Sequence, residues 1–432
     1  MILKSMFKYS LKSIIIFSVL LNSCNKISSQ DGDMLILDGK PRFIIGNYYN
    51  PNDLNALKEY AHNGFNLVRC SADSGQLDMV KEAGMYAWIN TGNVIDFSEN
   101  RDENSEKLSS LINRYKNHPA LAVWEVPDEA LWNLSYPDLL GQFYNPNGSY
   151  EQQDSIIKIL QEKVVKTAEG FIAGYDNLKS IDSGHAVWMN HAPRNPLEEL
   201  KLFSKAADIV GCDIYPVKEG MTGHSDLVNN SLSSVGEYTE IVQAAGPGKP
   251  VWMVLQAFSW QLLEDPVPDP LNPETFPSYS DSRFMAWDAV LHGAKGILYW
   301  GSYKVDSNSL FWKSISAVTR EIALLEPFLV TPELKDKITV EPIIFTSSVP
   351  TRVVYTLRKY ENDYLLVILQ EDLNQYVDVS GLEMLEGGTL YELTTDRSYK
   401  VKQGKIRIWH EREPHVLCTS KKYEVIFTST QN

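Results

Sequence analysis

From Phe43 onward the apolar residues alternate between two patterns. Short, nearly unbroken apolar runs have the character of parallel strands covered on both faces. They are Phe43 to Tyr48, Phe65 to Cys70, Met85 to Asn90, Leu121 to Val126, His185 to Asn190, Asp208 to Tyr215, Pro250 to Phe258 and Gly296 to Tyr303. Between them lie segments with helical spacing: Asn52 to His62, Gln76 to Glu82, Ser105 to Tyr115, Gln152 to Ala173, Pro196 to Lys205, Ser233 to Ala244, Asp281 to His292 and Ser314 to Leu325. Eight strand–helix units in succession predict an α/β chain folded as a (β/α)8 TIM barrel. A doubly wound sheet needs fewer strands and usually a Gly-rich first turn, which is missing here. Leu35 to Arg42, with Asp38-Gly39 as its turn, reads as a hairpin ahead of the barrel.

The pattern changes after Pro327. Ile338 to Ile344, Arg352 to Leu357, Tyr364 to Leu369 and Tyr423 to Phe427 are short runs rich in β-branched and aromatic residues, with no helical spacing between them. They predict a small all-β sandwich. The expected division is a barrel over 34–326 and a β-sandwich over 327–432. The longest irregular stretch near the barrel's end, 259–280, is rich in Pro and is expected to lie over the barrel mouth, where loops shape substrate sites.

The first residues have another pattern. Lys4, Lys8 and Lys12 accompany an apolar run from Ile14 to Leu21, too short for a membrane span and suited to a secretory leader. It ends Leu21-Asn22-Ser23-Cys24, which resembles the lipobox of bacterial lipoproteins. That resemblance implies a leader over 1–23, lipidation of Cys24 and a polar tether over 24–33. The expected location is the cell envelope, periplasmic or on the outer surface, with the membrane touched only through the lipid.

Composition narrows the partners. The net charge is −15, and removing the leader lysines makes it more negative still. Such a surface argues against nucleic acid and anionic membrane as partners. Cys70, Cys212 and Cys418 have neither disulfide-framework nor zinc-site spacing, and Cys70 and Cys212 follow apolar runs as buried small residues do. With 10 Trp, 22 Tyr and 15 Phe, an extracytoplasmic chain is well supplied with faces for stacking on sugar rings.

In a barrel, chemistry is done at the C-terminal ends of the strands. Those ends carry Asn47 and Tyr48 on the first strand, Arg69 on the second, and Asp128 and Glu129 after Pro127 on the fourth. Asn190 and His191 end the fifth, Asp213 and Tyr215 the sixth, Gln256 the seventh and Trp300 the eighth. Singly, each has an ordinary structural use. Asp128 and Glu129 suit a helix N-terminus, and Arg69 could simply pair with Glu125, which has the strand parity of Glu129. Meeting at one mouth, they are hard to explain as packing.

His118-Pro-Ala-Leu-Ala-Val-Trp124 followed by Asp128-Glu129 resembles the fourth-strand motif of clan A glycoside hydrolases, which ends in Asn-Glu with the Glu as general acid/base. Asp208 to Pro216, with its closing Tyr-Pro, resembles their sixth strand, Gly248 to Trp252 the approach to their seventh, and Tyr299-Trp300 their eighth. The resemblance covers about 34 to 325 and implies a carbohydrate substrate, with no metal or organic cofactor. There are two departures. Asp128 stands where the clan has Asn, and Gln256 where it has its nucleophilic Glu. An amide cannot form the glycosyl ester of a retaining enzyme.

Two routes remain. The adjacent Asp-Glu is also similar to barrel hexosaminidases that use substrate assistance. By that likeness Asp128 orients a 2-acetamido group, Glu129 protonates the leaving oxygen, and Tyr215 and Gln256 hydrogen-bond the acetamide or ring. In the other route Glu129 is the acid and Asp213 or Asp128 activates water for inversion, which needs carboxyls roughly 6.5–9.5 Å apart. The sequence reading is therefore a lipid-anchored glycoside hydrolase with Glu129 as general acid. The alternative is a noncatalytic glycan-binding lipoprotein built on a barrel that lost its nucleophile. Sugar, linkage and oligomeric state are left open.

Overall fold

The computed structural model describes residues 28–31, 34–134, 149–217, 229, 231–264, 275–343, 352–372, 375–410 and 413–424. The leader, Cys24 and residues 265–274 of the stretch expected over the barrel mouth lie outside the described residues. Among the described residues no helix is long and apolar enough to cross a membrane.

Eight parallel strands close into a barrel. In chain order they are Ile44–Asn47, Leu67–Cys70, Tyr86–Asn90, Leu121–Glu125, Ala186–His191, Ile209–Ile214, Val251–Gln256 and Gly296–Trp300. The eighth pairs with the first through Gly296↔Ile44 to Tyr299↔Asn47, closing the ring. Alternate side chains explain the two apolar layers. Ile44, Leu67, Trp88, Val123, Trp188, Trp252 and Leu298 fill the barrel interior. Ile45, Val68, Ile89, Trp124, Val187, Met253 and Ile297 pack outward against the helices. Trp188 and Trp252 meet inside with centroids 5.2 Å apart. Gly211 makes room for them, because a Cβ there would strike the Trp252 carbonyl and the Trp188 ring.

Every expected barrel helix is present, and most run longer than the apolar spacing alone indicated. Their starts are fixed by caps. Asp53 accepts from Ala56 N at 2.9 Å, and Ser149 with Gln152 forms a capping box for Tyr150–Ile181. The last barrel helix, Leu310–Leu329, continues through Pro327 rather than ending before it. Proline keeps a helical φ but removes one N–H, so the last turn runs one backbone hydrogen bond short. The short helix Trp260–Glu264 occupies part of the stretch read as irregular. Ahead of the barrel, the Asp38-Gly39 hairpin forms with positive φ at both residues. Ser28–Asp31, read as tether, adds an antiparallel strand to that hairpin.

The C-terminal region is all-β, with a three-stranded sheet (Thr339–Pro342, Gln375–Ser380, Ile406–His410) and a five-stranded one (Val353–Tyr360, Asp363–Gln370, Thr389–Glu392, Ser398–Lys400, His415–Cys418). Leu357, Leu366, Ile368, Val379, Ile408 and Leu417 form a core of its own. Tyr423 closes a 3-10 turn, Lys421–Tyr423, instead of opening a strand, and the rest of that run lies outside the described residues. Buried Arg283 joins the two halves, donating to both oxygens of Glu321 at 2.7 Å and to the Pro414 carbonyl at 2.7 Å. Cys70, Cys212 and Cys418 are free and buried.

Candidate active site

The site is built on the end of the fourth strand. Leu121–Glu125 is wholly buried, and Pro127, which has no N–H for a ladder, follows it. Glu125 points into the barrel, where Asn90 donates to its Oε2 at 2.7 Å and Arg69 Nε lies 3.1 Å from the same atom. Burial pushes its carboxyl up to about 7 against the pull of the guanidinium. The pairing of Arg69 with Glu125 is therefore real.

The chain then turns sharply. Glu129 takes a left-handed backbone, φ +48°. For a residue with a Cβ such strain costs roughly 1–3 kcal/mol and tends to persist at functional sites. Its N–H donates to the Asn190 carbonyl at 3.2 Å, anchoring the turn on the fifth strand. Asn190 also donates its side-chain N–H to Asp128 Oδ1 at 2.9 Å. Asn190 thereby fixes both acids, one through its backbone and one through its amide.

Asp213 projects inward from the sixth strand and hydrogen-bonds Glu129. Burial raises the carboxyls of Asp128, Glu129 and Asp213, and the contact with Glu129 raises Asp213 further. Two like acids in contact in a desolvated site release their last proton at a higher pH than a lone acid does.

These acids line a cleft of about 220 Å³. Its other walls are Tyr48, Asn190, Tyr215, Phe258, Trp260 and Trp300, with Leu263 at the side. Tyr215 and Trp300 stack at 5.7 Å, and Phe258 meets Trp300 edge-on at 5.2 Å. A second, more polar cavity of about 400 Å³ adjoins it across Tyr48, with Arg69, Asn50, Ser71, Gln76 and Asn90 among its walls.

The structure thus brings together Tyr48, Asp128, Glu129, Asn190, Asp213, Tyr215 and Trp300. Four expected residues are elsewhere, Arg69 among them in the wall of that second cavity. Asn47 has outward strand parity, and its Oδ1 accepts from Tyr49 N and Ser302 Oγ. His191 also faces outward, 3.1 Å from Ser204 Oγ, and burial lowers its pKa to about 4. Gln256 has inward parity but serves the backbone. Its Nε2 donates to the carbonyls of Val217 and Phe258 at 2.9 and 3.0 Å, and its Oε1 accepts from Val217 N at 3.0 Å. It braces the loop after the sixth strand and is not among the residues walling the cleft. Phe258, Trp260 and Leu263 were missed, although Phe258-Ser-Trp260 directly past the seventh strand is an aromatic signal at a strand end.

Chemically, the cleft offers two acids in contact, raised by burial, beside a third held by Asn190, in a pocket walled by rings. No protein-family model matches this sequence, and no curated protein matches it. Solved structures do. A glycoside hydrolase family 5 protein from Bacteroides vulgatus aligns at 14% identity over 90% of this chain and 92% of that one, with a TM-score of 0.56. A β-galactosidase from Bacillus circulans sp. alkalophilus aligns at 10% identity over 88% and 99%, with a TM-score of 0.54. The β-galactosidase of the psychrophilic Marinomonas ef1 aligns at 14% identity over 65% of this chain with a TM-score of 0.48, and this chain spans only 60% of its length. The TIM barrel followed by an all-β region is the fold this chain shares with the family 5 protein and the Bacillus circulans β-galactosidase.

Proposed function

We propose that the protein is a glycoside hydrolase in which Glu129 is the general acid and the substrate's own 2-acetamido group is the nucleophile. The observation that carries this reading is the trio of acids in the aromatic cleft. Glu129 and Asp213 are in hydrogen-bond contact, and Asp128 is held by the Asn190 amide. Contact between Glu129 and Asp213 is much closer than the roughly 6.5–9.5 Å that inversion by that pair needs. The braced amide of Gln256 leaves no carboxylate at the seventh strand for a covalent ester. Asp128 remains to orient and polarise an acetamide, Tyr215 to hydrogen-bond it, and Trp300 and Trp260 to stack on the ring.

The leader pattern and Cys24 support an envelope lipoprotein, anchored by lipid and facing glycans outside the cytoplasm. The test is a screen on aryl glycosides and glycans with and without 2-acetamido groups, read by NMR for the anomer first formed. Substrate assistance gives retention and requires the acetamide. A second reading, a noncatalytic glycan-binding lipoprotein, is favoured by Gln256 alone, and saturable binding without any hydrolysis in the same screen would support it.

A further inference from the structure

The seam between the barrel and the β-domain holds another set of ionisable side chains, outside the cleft. Asp288 and His292 lie one turn apart at the end of the helix Tyr279–Leu291, and Glu371 follows the strand Asp363–Gln370 of the β-domain. Their side chains are 0%, 2% and 2% exposed, so water does not solvate them. His292 Nε2 lies 2.7 Å from Glu371 Oε1 and 3.6 Å from Asp288 Oδ1, and the three atoms lie within 4.8 Å of one another.

Each inward-facing atom belongs to a group anchored at its other end. His292 Nδ1 is 2.8 Å from Glu240 Oε1. Asp288 Oδ2 accepts from Gly236 N at 2.7 Å. Glu371 Oε2 is 3.2 Å from Arg352 Nε. Such outer partners orient metal ligands, the carboxylate behind an imidazole above all. Asp288 Oδ1 is buried and turned toward His292 Nε2, 3.6 Å away and beyond hydrogen-bond distance, and the Asp288 carboxyl also meets that of Glu371. The space is kept clear by Gly236, whose Cβ would fall 2.5 Å from His292 Nε2. Four acidic side chains, Glu237, Glu240, Asp288 and Glu371, gather around Arg352 and His292. Buried carboxylates of this kind are paired or coordinate metals.

We propose that Asp288, His292 and Glu371 form a structural zinc site that ties the β-domain to the barrel. One imidazole nitrogen and two carboxylate oxygens are three donors that zinc accepts, with a bound water to complete the tetrahedron. Ligands about 2.1 Å from a tetrahedral zinc lie roughly 3.4 Å from one another. The separations of 2.7 and 3.6 Å from His292 Nε2 bracket that value, and the Asp288 and Glu371 oxygens lie within 4.8 Å of each other.

The full chain, purified without chelators, is expected to carry roughly one zinc per molecule by elemental analysis, as a structural site does. Dialysis against a strong chelator should lower Tm, and zinc alone should restore it. His292→Gln and Glu371→Gln should each lose both the metal and the chelator-sensitive part of Tm. If either fails to fold, Asp288→Asn, which keeps the shape, supplies the same comparison. Wild type that is metal-free as purified, takes up no zinc on titration and shows no Tm shift would overturn the proposal. So would manganese or calcium bound in preference to zinc, or variants that retain stoichiometric zinc.

Discussion

Asp213 on the sixth strand hydrogen-bonds Glu129 past the end of the fourth, and burial raises both carboxyls. Such a pair gives up its last proton at a higher pH than a lone carboxyl would, because the second charge must form beside the first. A general acid works protonated. Turnover should therefore hold at low pH and fall as pH rises through the raised pKa of the pair. Asp213→Asn removes the like charge, so the alkaline limb of kcat/KM should move to lower pH. A pH–rate profile of both forms checks this, and an unmoved limb would place the titrating group elsewhere.

Gln256 gives a second expectation. Its amide nitrogen serves two backbone carbonyls and its oxygen one backbone N–H, all in a fully buried place. Gln256→Glu keeps the acceptor, loses both donations and turns a charge toward two carbonyls. Leaving buried groups unsatisfied costs roughly 1–3 kcal/mol, and more where a charge is involved. Chemical denaturation should show a loss of at least that order, with no gain in hydrolysis. A variant as stable as wild type with raised turnover would instead restore the two-carboxylate retaining mechanism.

The barrel was readable because parallel strands buried on both faces leave continuous apolar runs, and each run from Phe43 to Tyr303 became a strand. The facing of the end residues was less legible. Trp188 and Asn190 share inward parity, which puts His191 outside, yet the run His185 to Asn190 is apolar on both faces and hides that parity. Gln256 has inward parity and still avoids the cleft, because the backbone groups it bonds carry no mark in the sequence. Trp260 stood in a Pro-rich stretch that reads as loop, so its wall position had to come from the structure. In the β-domain, strands such as Ser398–Lys400 are too short and polar for a period-two pattern to show.

The lipoprotein reading rests on Leu21-Asn-Ser-Cys24 after the apolar run. Expression in a bacterial host should yield membrane-associated, lipid-modified protein. Cys24→Ala should release the chain or leave the leader attached, as fractionation and intact mass would reveal. Identical soluble species from both forms would end that reading.

Glu129 and Asp128 together decide the mechanism. A general acid contributes typically about 10²–10⁴-fold. Glu129→Gln keeps the shape and removes the proton donor, so it should cost about that factor on a natural glycoside. The cost should be smaller on an aryl glycoside whose leaving group needs little protonation. Asp128 is held by Asn190 through one oxygen, Oδ1. Asp128→Asn keeps much of that shape while removing the charge that would polarise an acetamide as it attacks the anomeric carbon. Activity on 2-acetamido sugars should fall by about 10²-fold or more if that electrostatic help is removed. Stability should fall little, because burying the Asp128 charge is itself costly and the variant relieves it. Steady-state kinetics on matched glycosides with and without the 2-acetamido group measure both effects. Wild-type turnover of a plain β-glucoside or β-galactoside, with Asp128→Asn fully active, would remove the acetamide from the mechanism and leave Glu129 acting with water.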